Sequence, residues 1–146
     1  MAKIETSIVI NRPLEEVFAF TTNLENQPKY QSRLLEAKKT SEGPIGVGTT
    51  WRLVGKVLGQ RMEFEQQCTE YEPNRKFAGR PRSGPFPLEE LRTYEQVEGG
   101  TRFNLTFDFQ PRGFLKLAEP LFVSMLKRQA EADLTNLKKL MEKHIL

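Results

Sequence analysis

Arginine and tyrosine side chains in the second half of the chain are the groups best suited to hold the polar end of a ligand. Arg80 and Arg82 lie in a proline-rich segment, while Arg92 and Tyr94 follow in a strand-like segment. Arginine donates paired hydrogen bonds to a carboxylate or phosphate, and a tyrosine phenol can donate to a carbonyl. Arg92 and Tyr94 are also the weak candidates for a catalytic proton donor or orienting group. Solvent exposure is the competing interpretation, and it is stronger for Arg82 than for Arg92, because an unpaired charge among apolar strand neighbours is costly.

Three glutamates are the carboxylates considered for acid or base chemistry, namely Glu63, Glu65 and Glu95. A desolvated carboxyl has a raised pKa and can serve as a general acid or base. Glu63 and Glu65 alternate with Met62 and Phe64, however, which places them on the opposite face of a strand from these apolar residues. We therefore expect the carboxylates to be exposed to solvent.

The chain holds one histidine and one cysteine, and this limits its chemistry. His144 lies near the C-terminus, where a cation suits a helix dipole, and Cys68 alternates with apolar residues. One residue of each type cannot build a Ser-His-acid triad, a thiolate metal site or a disulfide, and the glycines do not form a phosphate-binding loop. We expect no metal and no cofactor, and a buried, inert thiol at Cys68.

Aromatic and aliphatic side chains are the candidates for the wall of an apolar pocket. The sequence has ten phenylalanines although 28% of its residues are charged. Concave ligand sites are lined mostly by apolar side chains, but for any single residue packing in the core is the simpler interpretation. The predicted ligand-binding residues are Trp51, Phe64, Phe77, Arg80, Phe86, Tyr94, Phe103, Phe107, Phe114, Leu121, Phe122 and Met125.

Strand patterns occupy most of the sequence before residue 110. Residues 102–109 alternate between polar and apolar, and further strands are predicted near residues 3–10, 33–40, 49–55, 60–72, 76–80 and 88–97. Pro13 favours a short helix after the first strand, and a second helical turn follows near residues 25–30. This order contains no βαβ alternation, which predicts an antiparallel sheet of the α+β class.

A long helical pattern closes the chain from about residue 113 to residue 145. Phe122, Leu126 and Ala130 fall on one face at four-residue spacing. Pro120 lies in the first third of the pattern, so we expect a kink there or a short separate helix before it. A strand with one apolar face that leads into an amphipathic helix predicts a curved sheet around that helix, with a cavity between them.

Length and charge narrow the class of protein. The 146 residues predict one domain over residues 1–146, large enough to bury roughly 70% of the surface that its unfolded form exposes. The 22 basic and 19 acidic residues are interleaved, without the basic block typical of nucleic-acid binding. No stretch approaches ~20 apolar residues and no apolar leader follows Met1, so we expect a soluble, cytoplasmic protein with no integral membrane segment.

Short motifs spread over nearly the whole chain carry a family likeness. They are Asn11-Arg12-Pro13 followed by Glu16-Val17-Phe18, Gly46-Val47-Gly48-Thr49, Tyr71-Glu72-Pro73-Asn74-Arg75, Gly99-Gly100-Thr101-Arg102 and Leu137-Lys138-Lys139-Leu140. In these motifs the chain resembles the START-like or SRPBCC superfamily, in its polyketide cyclase/dehydrase and lipid-transport branch. The resemblance implies a helix-grip fold, in which a seven-stranded antiparallel sheet wraps around a long C-terminal helix, two short helices follow strand one, and a deep apolar cavity remains.

The resemblance and the residues together predict binding of a small hydrophobic molecule, such as a lipid, a polyketide or another ring compound, between the sheet and the C-terminal helix. Fold likeness does not decide function, and the alternative is a polyketide cyclase, aromatase or dehydratase acting in the same cavity. The sequence therefore leaves open whether the protein is an enzyme. A protein-interaction module ranks last, because no large exposed apolar stripe is evident. We expect no nucleic-acid partner and consider a weak homodimer.

Overall fold

The computed structural model describes residues 2–57, 59–83, 88–109 and 119–143. Within these ranges the chain forms seven β-strands, two α-helices and one 3₁₀ helix. In chain order they are β1 (Ala2–Ile10), α1 (Leu14–Thr22), the 3₁₀ helix (Leu24–Lys29), β2 (Leu34–Lys39), β3 (Thr50–Val57), β4 (Gln60–Glu72), β5 (Lys76–Ser83), β6 (Leu88–Val97), β7 (Gly100–Phe109) and α2 (Glu119–Glu142).

One curled antiparallel sheet contains all seven strands, in the spatial order β1-β7-β6-β5-β4-β3-β2. The long helix α2 contributes Leu134, Leu137 and Met141 to the buried core that it shares with the sheet and α1. The two short helices follow β1, as expected. The predicted α+β class and helix-grip architecture are therefore confirmed.

The alternation of polar and apolar residues along β7 places one face of this strand in the core and the other face toward solvent. Phe103 and Leu105 are buried, whereas Arg102 is exposed and Asn104 is half-buried. β7 lies between β1 and β6, so Phe103 sits opposite Ile8 on one side and Tyr94 on the other. Successive side chains of a strand point to opposite faces, which puts Phe103 and Phe107 on the face turned toward α2.

Two irregularities interrupt the pairing of β4 with β5. The register shifts between Cys68 and Glu70, and again where Glu65 pairs with Ser83 while Gln66 pairs with Pro81. A bulge adds one residue to one strand and bends it. The first of these bulges lies in the segment where inward and outward positions could not be assigned from the sequence.

The hairpin between β6 and β7 depends on two glycines with positive φ. Gly99 has φ 91° and Gly100 has φ 135°. A Cβ atom on Gly100 would lie 2.1 Å from the carbonyl oxygen of Ile10, whereas nothing lies within 4 Å of one on Gly99. Gly100 therefore lets the start of β7 approach the end of β1 closely.

The described part of α2 begins at Glu119, and the predicted start near residue 113 falls on residues outside the described ranges. Pro120 is the second residue of this part of α2. The predicted kink or separate helix before Pro120 falls on residues 110–118, which lie outside the described ranges. In the part of the chain that the structure describes, no helix is both long enough and apolar enough to cross a membrane.

Polar contacts tie the C-terminal part of α2 to β1 and to the segment after it. The Lys138 ammonium donates to the Val9 carbonyl at 2.7 Å, and the Glu142 carboxylate accepts from the Asn11 backbone N–H at 2.8 Å. Lys138 and Glu142 also pair with each other at 2.6 Å. These groups are partly exposed, so they orient the helix more than they stabilise it.

Candidate functional site

A cavity of about 550 Å³ lies between the sheet and α2. Its described walls come from the 3₁₀ helix and the residues after it, from β2 to β7, and from the first two thirds of α2. This volume is within the range of pockets that take small organic molecules. The sheet curves far enough from the helix to leave this space, as the strand and helix patterns predicted.

The cavity walls are mostly apolar. Strand β7 contributes Phe103, Leu105 and Phe107 at period two, and β4 adds Phe64. The helix α2 contributes five apolar residues at three- and four-residue spacing, which are Phe122, Met125, Leu126, Ala130 and Leu134. The two-residue repeat of the strands and the three- to four-residue repeat of α2 thus both place apolar side chains at the same cavity.

A buried ion pair forms a polar part of the wall. Arg92 and Glu90 lie two residues apart on β6, and their side chains are 2% and 8% exposed. The Arg92 Nη2 donates to both carboxylate oxygens of Glu90, at 3.2 and 3.1 Å, and also to the Gln27 side-chain oxygen. Nη1 donates to the Thr21 carbonyl at 2.6 Å. Arg92 therefore joins β6 to α1 and to the 3₁₀ helix.

The surroundings of Arg92 keep it charged. Burial acts to lower the pKa of Arg92, but the Glu90 carboxylate, with Tyr30 and Tyr94, raises it above its ordinary value. The guanidinium also lies over the Phe77 ring, with its central carbon 5.5 Å from the ring centroid. A buried charge is tolerated when it is paired and hydrogen-bonded, and Arg92 meets both conditions.

Tyr30 and Gln27 bring two further polar groups to the same part of the wall. Both residues are buried. Burial raises the pKa of Tyr30 to about 12, while the Arg92 charge acts in the opposite direction. The Tyr30 phenol is therefore protonated at neutral pH and can act as a hydrogen-bond donor.

Asp133 is the one acidic residue of α2 that is buried among the described residues. It lines the cavity, and its carboxylate lies 3.9 Å from Arg33 Nη2. Burial raises the pKa of Asp133 to about 6, although the Arg33 charge acts to lower it. Near neutral pH this carboxyl can therefore exchange a proton.

Two polar atoms belong to residues that line the cavity but are themselves buried, without a hydrogen-bond partner among the described residues. They are Arg92 Nε, a donor, and Gln129 Oε1, an acceptor. An unmade hydrogen bond costs a buried polar group about 1–3 kcal/mol. The third such atom among the described residues is Trp51 Nε1, which belongs to the core and not to the cavity wall.

The structure distributes the predicted site residues among three environments. Those that line the cavity are Phe64, Arg92, Phe103, Phe107, Phe122 and Met125. Trp51, Phe77 and Tyr94 are buried in the core instead, and Arg80 and Leu121 are exposed. Phe86 and Phe114 lie outside the described residues.

Tyr94 is separated from the cavity by its own contacts. Its hydroxyl forms a 2.7 Å hydrogen bond with Thr21 Oγ1, and its ring stacks on Phe103 and meets the edge of Phe18. Burial raises the pKa of Tyr94, against the effect of Arg92. These contacts assign Tyr94 to the packing of α1 on the sheet.

The other side chains considered for chemistry lie away from the cavity. Glu63 and Glu95 are exposed and Glu65 is half-buried, and all three pair with arginines on the sheet surface. Cys68 is a buried free thiol, and burial raises its pKa to about 11. His144 lies outside the described residues.

The polar residues of the cavity wall that sequence reasoning missed include Gln66, Glu90, Gln129 and Asp133. Glu90 shares a strand face with Arg92 at a spacing of two, so it was within reach of the pattern argument. Asp133 follows Ala130 by three residues and therefore falls in the apolar stripe of α2. A charged residue inside such a stripe was the signal. Across the described ranges, no group of three or more His, Cys, Asp or Glu residues is placed to hold a metal ion.

The sequence pattern of a protein family described as "Polyketide cyclase / dehydrase and lipid transport" matches residues 1–142. The chain belongs to this family. The predicted relationship to the polyketide cyclase/dehydrase and lipid-transport branch is therefore confirmed. No curated protein matches the chain.

Solved structures share the fold of this polyketide cyclase/dehydrase family member. A protein from Thermus thermophilus is 19% identical, with 94% of this chain and 95% of that chain covered and a TM-score of 0.82. The Zhui aromatase/cyclase from a Streptomyces species is 17% identical, with 99% and 96% covered and a TM-score of 0.81. The di-domain ARO/CYC BexL from the BE-7585A biosynthetic pathway is 15% identical, with 97% of this chain and 48% of that chain covered and a TM-score of 0.74. At these identities the likeness extends to the fold alone.

Proposed function

We propose that this chain binds a small hydrophobic molecule, such as a lipid, a polyketide or another ring compound, in the cavity between the sheet and α2. The observation that carries the proposal is the cavity of about 550 Å³ with apolar walls from β4, β7 and α2. Membership of a family that includes polyketide cyclases and lipid-transport proteins supports it. We place this function in the cytoplasm.

The energetics are adequate for binding without any catalytic group. Burying ~200 Å² of ligand apolar surface at ~25 cal/mol per Å² contributes ~5 kcal/mol before the entropy of association is subtracted. Phe103 and Phe107 of β7 and the lining residues of α2 already border the same space. A largely preformed site loses little further entropy when the ligand binds.

Two alanines of α2 provide a matched test. Ala130 is buried and lines the cavity, while Ala132 is exposed. We expect Ala130→Phe to occupy ligand space and to abolish binding with little loss of stability, because the cavity has room for the ring. Ala132→Phe should bind as the parent protein does.

The measurement is native mass spectrometry of freshly purified protein, followed by fluorescence titration with a panel of lipids and polycyclic aromatic compounds. A co-purifying molecule lost in Ala130→Phe and kept in Ala132→Phe would support the proposal. Equal binding by both variants, or no binding by the parent protein to any member of the panel, would contradict it.

A second candidate function is catalysis by a cyclase, aromatase or dehydratase in the same cavity. It is favoured by the placement of Asp133 and Tyr30, since both line the cavity and hold a titratable proton. We expect Asp133→Asn to lower turnover of a poly-β-keto thioester analogue by ~100-fold or more, with affinity for that analogue nearly unchanged. Product analysis by mass spectrometry would measure this, and unchanged turnover would exclude Asp133 as the acid or base.

A further inference from the structure

The charged side chains of the cavity wall do not cancel one another. Among the described lining residues, three are basic, namely Arg33, Lys56 and Arg92, and two are acidic, namely Glu90 and Asp133. Arg92 and Glu90 are buried and pair with each other at 3.1 Å, so together they are neutral. Asp133 faces Arg33, and Lys56 has no ion pair in the part of the chain that the structure describes. One positive charge is therefore left over at the cavity.

Arg33 and Lys56 lie together where the cavity reaches solvent. The Lys56 backbone N–H donates to the Arg33 carbonyl at 2.9 Å, and the neighbouring residues Leu34 and Gly55 pair with each other across β2 and β3. Arg33 is half-buried, whereas Lys56 is exposed, as is the lining residue Gly59 between β3 and β4. These residues therefore mark an opening of the cavity beside the edge strand β2.

The Arg33 guanidinium keeps hydrogen-bonding capacity for a ligand. Its Nη2 is 3.9 Å from the Asp133 carboxylate, which is too far for a hydrogen bond. Burial lowers the pKa of Arg33, against the effect of the Asp133 charge, which indicates that water solvates this cation only in part. A guanidinium binds a carboxylate through paired hydrogen bonds, and a lysine ammonium is a point charge on a flexible stem that can reach the same anion.

The number of charges at the opening selects the head group of the ligand. Arg33 and Lys56 carry two positive charges, and Asp133 balances one of them. A carboxylate supplies the one negative charge that is missing, whereas a cationic head group would add to the excess. The apolar walls from β4, β7 and α2 suit a hydrocarbon ring or chain as the body of the same molecule.

We propose that the cavity takes amphipathic carboxylates, with the apolar body between the sheet and α2 and the carboxylate at the opening, against Arg33 and Lys56. This inference rests on the proposed ligand binding and names the chemical class of the ligand. Arg33 donates hydrogen bonds to the carboxylate oxygens, and Lys56 supplies the unpaired charge. Asp133 competes with the ligand for Arg33.

Three fluorescent probes with the same ring and chain test the head group, namely pyrenebutyrate, pyrenebutanol and pyrenebutylammonium. In fluorescence titrations at neutral pH and low salt, we expect pyrenebutyrate to bind about fivefold or more tightly than pyrenebutanol, because the site is charged but partly exposed. Pyrenebutylammonium should bind least tightly. Since salt reaches the opening, the preference for pyrenebutyrate should shrink at about 1 M NaCl, where the Debye length is about 3 Å.

Four variants locate the effect. Lys56→Gln and Arg33→Gln should each lower the affinity for pyrenebutyrate about threefold or more and leave that for pyrenebutanol unchanged. Lys38→Gln makes the same change at an exposed position of β2 outside the cavity wall and should retain the preference. Asp133→Asn removes the carboxylate that competes for Arg33, so pyrenebutyrate should bind about threefold or more tightly. A purely structural role of these residues would change the affinities for both probes together.

The outcomes separate this inference from the proposed function. Equal affinity for pyrenebutyrate and pyrenebutanol, or a preference for pyrenebutyrate that survives both Lys56→Gln and Arg33→Gln, would overturn the carboxylate site and leave ligand binding intact. Loss of the preference in Lys38→Gln would assign it to general surface charge and would also overturn the site. Failure of all three probes to bind would overturn the proposed function as well.

Discussion

Removing both members of the buried Arg92–Glu90 pair should destabilise the protein by clearly less than the sum of the two single removals. The perturbations are Arg92→Met, Glu90→Leu and the double variant. Arg92→Met leaves the Glu90 carboxylate buried without its cation, and Glu90→Leu leaves the guanidinium without its anion. The double variant removes both charges and keeps much of the volume.

The magnitude follows from the bonds that each change breaks. Arg92 donates to the Thr21 carbonyl at 2.6 Å, to Gln27 and to both oxygens of Glu90 at 3.1 and 3.2 Å. We expect each single change to lower the free energy of unfolding by about 3–5 kcal/mol, the cost of leaving one charge of a buried pair alone. The double change should cost less than the sum of the two by about 2 kcal/mol or more.

Urea denaturation would measure these values, with fluorescence of Trp51 as the probe because it is the one tryptophan and lies in the core. The control is the exposed pair Glu95–Arg102, which joins β6 to β7 at 3.2 Å. Its double-mutant cycle should give a coupling below about 1 kcal/mol. A coupling for Arg92 and Glu90 as small as that of the control would refute the reasoning.

Three further predictions concern stability and reactivity. Because burial raises the pKa of Asp133 from 3.8 to about 6, the folded protein binds the proton more tightly than the unfolded chain does, so the contribution of this group to stability falls as pH rises through that window. Asp133→Asn should therefore increase the free energy of unfolding near neutral pH by ~1–2 kcal/mol. The whole pKa shift would correspond to ~3 kcal/mol, but the carboxyl keeps some contact with solvent. A free energy of unfolding that Asp133→Asn raises no more near neutral pH than at about pH 4 would contradict this. Gly99→Ala should lower the free energy of unfolding by ~1–2 kcal/mol, because Gly99 has a positive φ. Gly100→Ala should lower it further, because the new Cβ would lie 2.1 Å from the Ile10 carbonyl oxygen. Thermal unfolding compares the two variants, and equal melting temperatures would contradict the close approach. Burial raises the pKa of the Cys68 thiol to about 11, so iodoacetamide at about pH 8 should alkylate it ~100-fold more slowly in the folded protein than in urea, as followed by mass spectrometry, and similar rates in both would show that the thiol is accessible.

The fold was predictable because periodicity is a local property of the chain. Alternation through residues 102–109 assigned the faces of β7, and the stripe through Phe122, Leu126 and Ala130 assigned the inner face of α2. Gly99 and Gly100 indicated the hairpin at the position where the structure has it. These signals need no knowledge of long-range contacts.

The composition of the cavity wall was harder to predict, because periodicity assigns a face but not a depth. Trp51 and Phe77 point inward as expected, yet their rings lie 6.0 Å apart in the core and not at the cavity. Leu121 and Phe122 are neighbours in sequence, but the first is 77% exposed and the second lines the cavity. Which side of the helix meets the space depends on where the sheet curves, and this is a tertiary property.

The polar wall was missed for a different reason. Sequence reasoning placed Glu63 on the solvent face, where the structure has it, but did not consider Glu90, which is buried. A buried carboxylate requires a partner, and Arg92 two residues away on the same strand face provides it. Opposite charges at a spacing of two on a central strand were therefore the informative signal.

The described polar anchors of α2 on the rest of the chain lie at Asp133 or later, at Asn136, Lys138 and Glu142. Most of the turns of α2 that border the cavity precede these polar contacts in the sequence. We therefore expect the N-terminal half of α2 to move away from the sheet while its C-terminal half keeps its contacts. Ligand exchange would then cost much less free energy than global unfolding. Amide hydrogen exchange would then be faster before Asp133 than after it, and loading the protein with its guest would slow the faster set.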